Sequence, residues 1–183
     1  AIAVGRSLEE FKLYFFEDPI EPENMDQWEY VASNVPMPLA MGERLYTVYQ
    51  FLDLLNHRGA AFVRPDLSLA GGITNIKKIA AIAEANYVGV VPHNPLSAVL
   101  TAACVQLDAA THNIPVQEYP SDDATGVKAD LVDEPLTRDG GYLLVPDRPG
   151  IGIDLNEEAF AKYPTVSYDR PPLINPDGSL REY

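Results

Sequence analysis

Apolar and polar positions come in blocks along this chain rather than residue by residue. Five short apolar runs stand out: LYFFEDP (13–19), MPLAMGE (37–43), GAAFVRPD (59–66), YVGVVPH (87–93) and IPVQEYP (114–120). Each is too short for a helix and apolar on both faces, the pattern of a buried parallel strand. The stretches between them carry helical spacing. Residues 22–35 open with Pro22, Glu23 and Asp26, and place Met25, Trp28, Tyr30 and Val31 on one face. Residues 46–57 carry Val48, Phe51, Leu52 and Leu55, with Gly59 as a stop. Residues 73–86 carry Ile76, Ile79, Ala80 and Ala83, and residues 96–111 carry Val99, Leu100, Ala103 and Leu107. Residues 7–11 read as the tail of a helix, with Ser7 and Glu10 at capping-box spacing.

The order is therefore helix, strand, helix, strand. Each apolar run stops at a chemically capable residue: Glu17, Glu43, Asp66, His93 and Glu118, separated by 26, 23, 27 and 25 residues. A strand-plus-helix unit of a (β/α)8 barrel takes about 30 residues, and such barrels gather their functional groups at the strands' C-terminal ends. An open doubly wound sheet would collect them at one switch point instead. The fold class predicted is α/β, the C-terminal part of a TIM-like barrel, with roughly three strand units expected upstream because five strands close no eight-stranded barrel.

Beyond Pro120 the pattern changes. Residues 121–139 are polar and acidic, 140–149 suggest a short strand, and 156–162 a short helix capped by Asn156. Residues 164–183 hold Pro164, Pro171, Pro172 and Pro176 and read as an extended tail packed on a surface. The division expected is a barrel part over 1–135 and a C-terminal segment over 136–183 that contributes to a cap.

Composition narrows the function. The chain has 183 residues, 46% of them hydrophobic, enough for one domain's core. It shows no apolar run of membrane-spanning length and no secretory signal at its start. A single cysteine excludes an intrachain disulfide framework and fits a reducing, cytoplasmic compartment. A formal charge of −14 disfavours nucleic acid or an anionic membrane as partner. An anionic small molecule is admitted only if a cation sits in the site, since a bound divalent ion outweighs its neighbours.

Glu17 and Glu43, on neighbouring strands, offer hard oxygen ligands of the kind Mg²⁺ takes, one or two carboxylates with water and substrate oxygens completing the shell. Asp66 on the next strand can hold one nitrogen of His93 and leave the other free to carry a proton. Glu118 either hydrogen-bonds a developing oxyanion as a protonated acid or is a surface residue beside Tyr119. Arg44 either clamps a substrate carboxylate or neutralises an acidic rim. His57 and His112, at helix ends, read as structural.

Six motifs in order, FFEDP (15–19), MGERL (41–45), RPDLSLAGGIT (64–74), PHNPL (92–96), QEYP (117–120) and PDRPGIGIDL (146–155), resemble the enolase superfamily in its mandelate racemase-like branch. The chain is most similar there to acid-sugar dehydratases of the galactonate dehydratase type. The resemblance implies a (β/α)7β barrel with a capping domain. It matches Glu17 and Glu43 to metal ligands on strands four and five, Asp66 and His93 to a dyad on strands six and seven, and Glu118 to the strand-eight glutamate that contacts the reacting carboxylate. The family's strand-three aspartate ligand and histidine base have no counterpart in these residues. The implied chemistry is Mg²⁺-dependent loss of water from a sugar acid through an ene-diolate, giving a 2-keto-3-deoxy acid in a homo-oligomeric enzyme. A racemase or epimerase of a 2-hydroxy acid is the alternative, and a non-catalytic binding paralogue the second.

Overall fold

The structure is a computed structural model and describes residues 1–167 and 173–179. Four strands form one parallel sheet in the order β1 (Phe16–Glu17), β2 (Leu39–Met41), β3 (Phe62–Val63) and β4 (Gly89–Val90). The register pairs Glu17 with Ala40, Met41 with Val63, and Val63 with Val90. The ladders are short, so Glu17 lies in its strand, Glu43 two residues past the end of β2, and Asp66 and His93 three residues past the ends of β3 and β4. An isolated parallel bridge carries the pairing on to Asp66 and His93.

Helices return the chain between strands, as the periodicity predicts. They are α2 (Met25–Ala32), α3 (Val48–Asn56), α4 (Gly72–Ala85) and α5 (Ala98–Ala109). Their starts are set by side chains: Asn24 accepts from the Gln27 N–H, Thr47 and Gln50 form a full capping box, and Ser97 accepts from Leu100. Trp28, Phe51, Leu54, Ile76, Ile79 and Leu107 are wholly buried between helices and sheet. Truncating any of the aromatic pair would cost about 3–5 kcal/mol. Tyr30 and Leu52 point outward instead, and Leu54 takes the buried place. The chain leaves α3 through Arg58 at φ +48, so Gly59 is not the helix stop. It is there because a Cβ would stand 2.8 Å from Cβ of Trp28.

Three further expectations are corrected. Residues 7–11 hold no capping box: α1 (Ile2–Ser7) ends at Ser7, whose hydroxyl donates back to the Val4 carbonyl, and Glu9–Phe11 form a separate 3₁₀ turn. The fifth run, 114–120, makes no strand. Pro115 and Pro120 lack N–H donors, and among the described residues the backbone bond to β4 is that from the Val90 N–H to the Asn113 carbonyl, at 2.8 Å. Asn156 stands at the N-cap of α7 (Glu157–Lys162) but spends its side chain on the Asp130 carbonyl, at 3.0 Å.

The polar stretch after Pro120 contains more order than its composition suggests. It holds α6 (Gly126–Asp130) and an antiparallel hairpin of β5 (Arg138–Asp139) and β6 (Tyr142–Leu143). Arg148 ties Asp133 to Asp154 at 2.6 and 3.0 Å, and Val132 bridges Leu155. Of the tail expected to pack on a surface, residues 168–172 and 180–183 lie outside the described residues. Val166, Leu173 and Ile174, which are described, are exposed.

Candidate active site

Strand parity aims Phe62, Arg64 and Asp66 to one side of the sheet. Past the β3 ladder, Asp66 turns into the hub of the site. It is 1% exposed; its Oδ1 accepts from the Ser68 N–H at 2.7 Å, the Ser68 hydroxyl at 2.5 Å and the Leu69 N–H at 3.2 Å. Its Oδ2 lies 3.0 Å from Nδ1 of His93. A carboxylate so placed acts as an acceptor, so Nδ1 carries a proton and Nε2 faces the site. Nε2 stands 3.2 Å from Oε2 of Glu43.

Glu17 lies in the same cluster. Burial raises its pKa first; Arg64 pulls it down, and Glu43 and Glu118 push it up. Asp18, next in sequence and at φ +37, is raised to about 6, chiefly by burial, then by Glu43 and Glu17. Five groups expected from sequence, Glu17, Glu43, Asp66, His93 and Glu118, are therefore brought within electrostatic or hydrogen-bonding reach of one another. Arg44 sits at the rim, paired with Glu21 at 2.5 Å.

Sequence reasoning missed two residues here. Arg64 is 4% exposed, and its guanidinium lies between Glu17, which meets its Nε, and Glu118, 2.5 Å from Nη2. It also rests 5.7 Å from the Phe15 ring. The signal was an arginine inside an apolar run, two residues before Asp66, a parity that turns it inward. Asp18 was the other, visible as the second acid of FFEDP.

Among the described residues no group of three or more His, Cys, Asp and Glu is disposed to hold a metal ion. Glu17 and Glu43 nevertheless suit Mg²⁺. They are hard oxygen donors that repel each other across the cluster, and a divalent cation relieves that repulsion. Gly42, at φ +137, lets the chain reach Glu43: a Cβ there would stand 2.7 Å from the Phe51 ring and 3.0 Å from the Arg64 nitrogen.

Residues 1–159 match the family described as enolase C-terminal domain-like. The chain belongs to that family. Within the enolase superfamily, it is 36% identical over 193 residues to the D-galactonate dehydratase of Xanthomonas oryzae pv. oryzae strain PXO99A, across all of this chain and 50% of that protein. Among solved structures it resembles an enolase from Agrobacterium radiobacter with bound Na and L-malate, at a TM-score of 0.87 and 36% identity over 97% of this chain and 48% of that one. A mandelate racemase/muconate lactonizing enzyme from Jannaschia sp. CCS1 gives a TM-score of 0.86 and 32% identity over 92% and 42%. The chain spans about half the length of the curated relatives it matches. The α/β class and the enolase-type barrel architecture expected from the sequence are both borne out. No helix among the described residues is long and apolar enough to cross a membrane.

Proposed function

We propose that the full-length protein is a Mg²⁺-dependent lyase that removes water from a sugar acid, an aldonate such as galactonate, to give a 2-keto-3-deoxy acid. The observation that carries this reading is His93, gripped at Nδ1 by buried Asp66 and presenting Nε2 beside Glu43 at 3.2 Å. An imidazole so held keeps one tautomer and moves a proton at one atom only.

Glu17 and Glu43 would hold the metal, which would supply charge stabilisation at the substrate carboxylate as its α-proton passes to a base outside these 183 residues, the strand-three histidine that the family resemblance implies. His93 delivers a proton from Nε2 to the departing β-hydroxyl, and Asp66 stabilises the charge on the imidazole during that transfer. Glu118, as a protonated acid, would donate from Oε1 to the carboxylate oxygen that becomes electron-rich, its Oε2 being taken by Arg64 and the Asn94 N–H. Arg44 supplies a rim cation for the anionic substrate. The domain division at 135/136, a cytoplasmic location and a homo-oligomeric assembly belong to the same proposal. Dehydratase names among relatives of 36% identity support this choice over a racemase.

The test is incubation of the full-length protein with Mg²⁺ and a panel of acid sugars, scoring 2-keto-3-deoxy products. Glu43→Gln is expected to abolish turnover with an unchanged circular dichroism spectrum, and His93→Asn to lose dehydration. Wild-type rates in either variant remove that residue from the mechanism. Inversion at Cα without loss of water would select the racemase, and metal binding without turnover the non-catalytic paralogue.

A further inference from the structure

Glu118 lies on the one run that forms no ladder, yet its carboxylate joins the cluster. Asn94, one residue past His93, holds it there. The Asn94 backbone N–H donates to Glu118 Oε2 at 2.9 Å, and its Nδ2 donates both to the Glu118 carbonyl at 3.0 Å and to Thr101 Oγ1 at 2.8 Å. Thr101, on α5, donates its hydroxyl to Asp123, whose carboxylate pairs with Lys128 at 3.2 Å. Asn94, Thr101 and Asp123 are 0%, 1% and 2% exposed.

The direction of this chain of bonds is set from its outer end. A carboxylate paired with a lysine accepts, so the Thr101 hydroxyl donates to it and keeps a lone pair for the amide NH₂. That forbids the flipped amide and keeps both Asn94 donors where the Glu118 carbonyl needs one. The arrangement is poor for stability, because Asn94 Oδ1 is buried with no partner among the described residues. An unpartnered buried acceptor forfeits its hydration without replacement and so lowers stability.

We propose that Asn94 is a positioning residue for Glu118, and that Thr101 and Asp123 set its orientation from outside the site. The inference rests on the reading of Glu118 as a group that touches the reacting carboxylate. Among the described residues the Thr101 hydroxyl bonds to Asn94, Asp123 and the Ser97 carbonyl, none of them in the acidic cluster, so it tests the relay without touching the chemistry.

In the full-length protein, Thr101→Val keeps the side chain's shape and removes the hydroxyl. It is expected to lower kcat about tenfold, in the range found when groups supporting a site's ligands are removed, with KM changed less than about twofold. Thr101→Ser restores the hydroxyl and is expected to restore kcat. A packing role reverses that order, since valine fills the space and serine leaves a void; serine-impaired, valine-normal kinetics overturn the proposal. Hydrogen exchange of residues 114–120 needs no substrate and is read in the same proteins. Faster exchange in Thr101→Val but not in Thr101→Ser supports the relay even if no sugar acid is turned over, in which case only the functional reading fails. Unchanged exchange in Thr101→Val overturns the relay whatever the activity.

Discussion

Replacing Asp108 with asparagine removes a carboxylate held in an unfavourable place. Asp108 lies near the end of α5 and lines a cavity of about 490 Å³ with Gln117, Arg138 and the β5–β6 hairpin. Its Oδ1 is buried without a hydrogen-bond partner among the described residues, and burial alone pushes the carboxyl from 3.8 up to about 7. The unfolded chain loses this proton near pH 4 while the folded chain keeps it to about pH 7. Between those values the unfolded state binds fewer protons, so stability falls as pH rises and the loss is complete above about pH 7. At about 1.4 kcal/mol per pH unit the full gap is worth ~4 kcal/mol. Water at the open side of the cavity screens the charge and reduces the figure to about 2 kcal/mol. Asp108→Asn should therefore raise the melting temperature by about 4–8 °C at pH 8. Near pH 3, where both states of the wild type are largely protonated, it should change it little. Thermal unfolding followed by circular dichroism at the two pH values reads this directly. An equal effect at both, or no gain at pH 8, would refute the argument from burial.

Other expectations follow from the same geometry. Arg64→Met strips the counter-charge from Glu17 and Glu118; because both carboxylates are about a third exposed, the loss should be about 2 kcal/mol rather than the 3–5 of a fully buried pair, measured by urea unfolding at pH 7. Gly42→Ala forces a Cβ against Phe51 and the Arg64 backbone at a φ that L residues avoid. It should destabilise by about 1–3 kcal/mol and weaken Mg²⁺ binding by moving Glu43, both readable by denaturation and calorimetric titration.

Much of this molecule could be read along the chain. Blocks of period-3.6 spacing between short two-sided apolar runs are satisfied by helices packed on a buried parallel sheet, so the alternation of elements and the inner face of α4 followed from pattern, whereas on α5 Leu100 and Leu107 are buried as read but Val99 is exposed and Thr101, Cys104 and Val105 turn inward instead. The recurrence of Glu17, Glu43, Asp66 and His93 at near-constant intervals likewise foretold one cluster, because parallel strands in register place equivalent ends side by side. The tertiary structure alone decided what neutralises that cluster and what orients it. Arg64 reads as an ordinary charge until the sheet turns it between Glu17 and Glu118. The fifth run looks like the other four until its prolines leave the ladder unformed and the buried amide of Asn94 takes over the placing of Glu118. Periodicity reports which residues leave water; it carries no information on which donor meets which acceptor across 24 residues of chain, and that pairing is settled only when the helices close over the sheet.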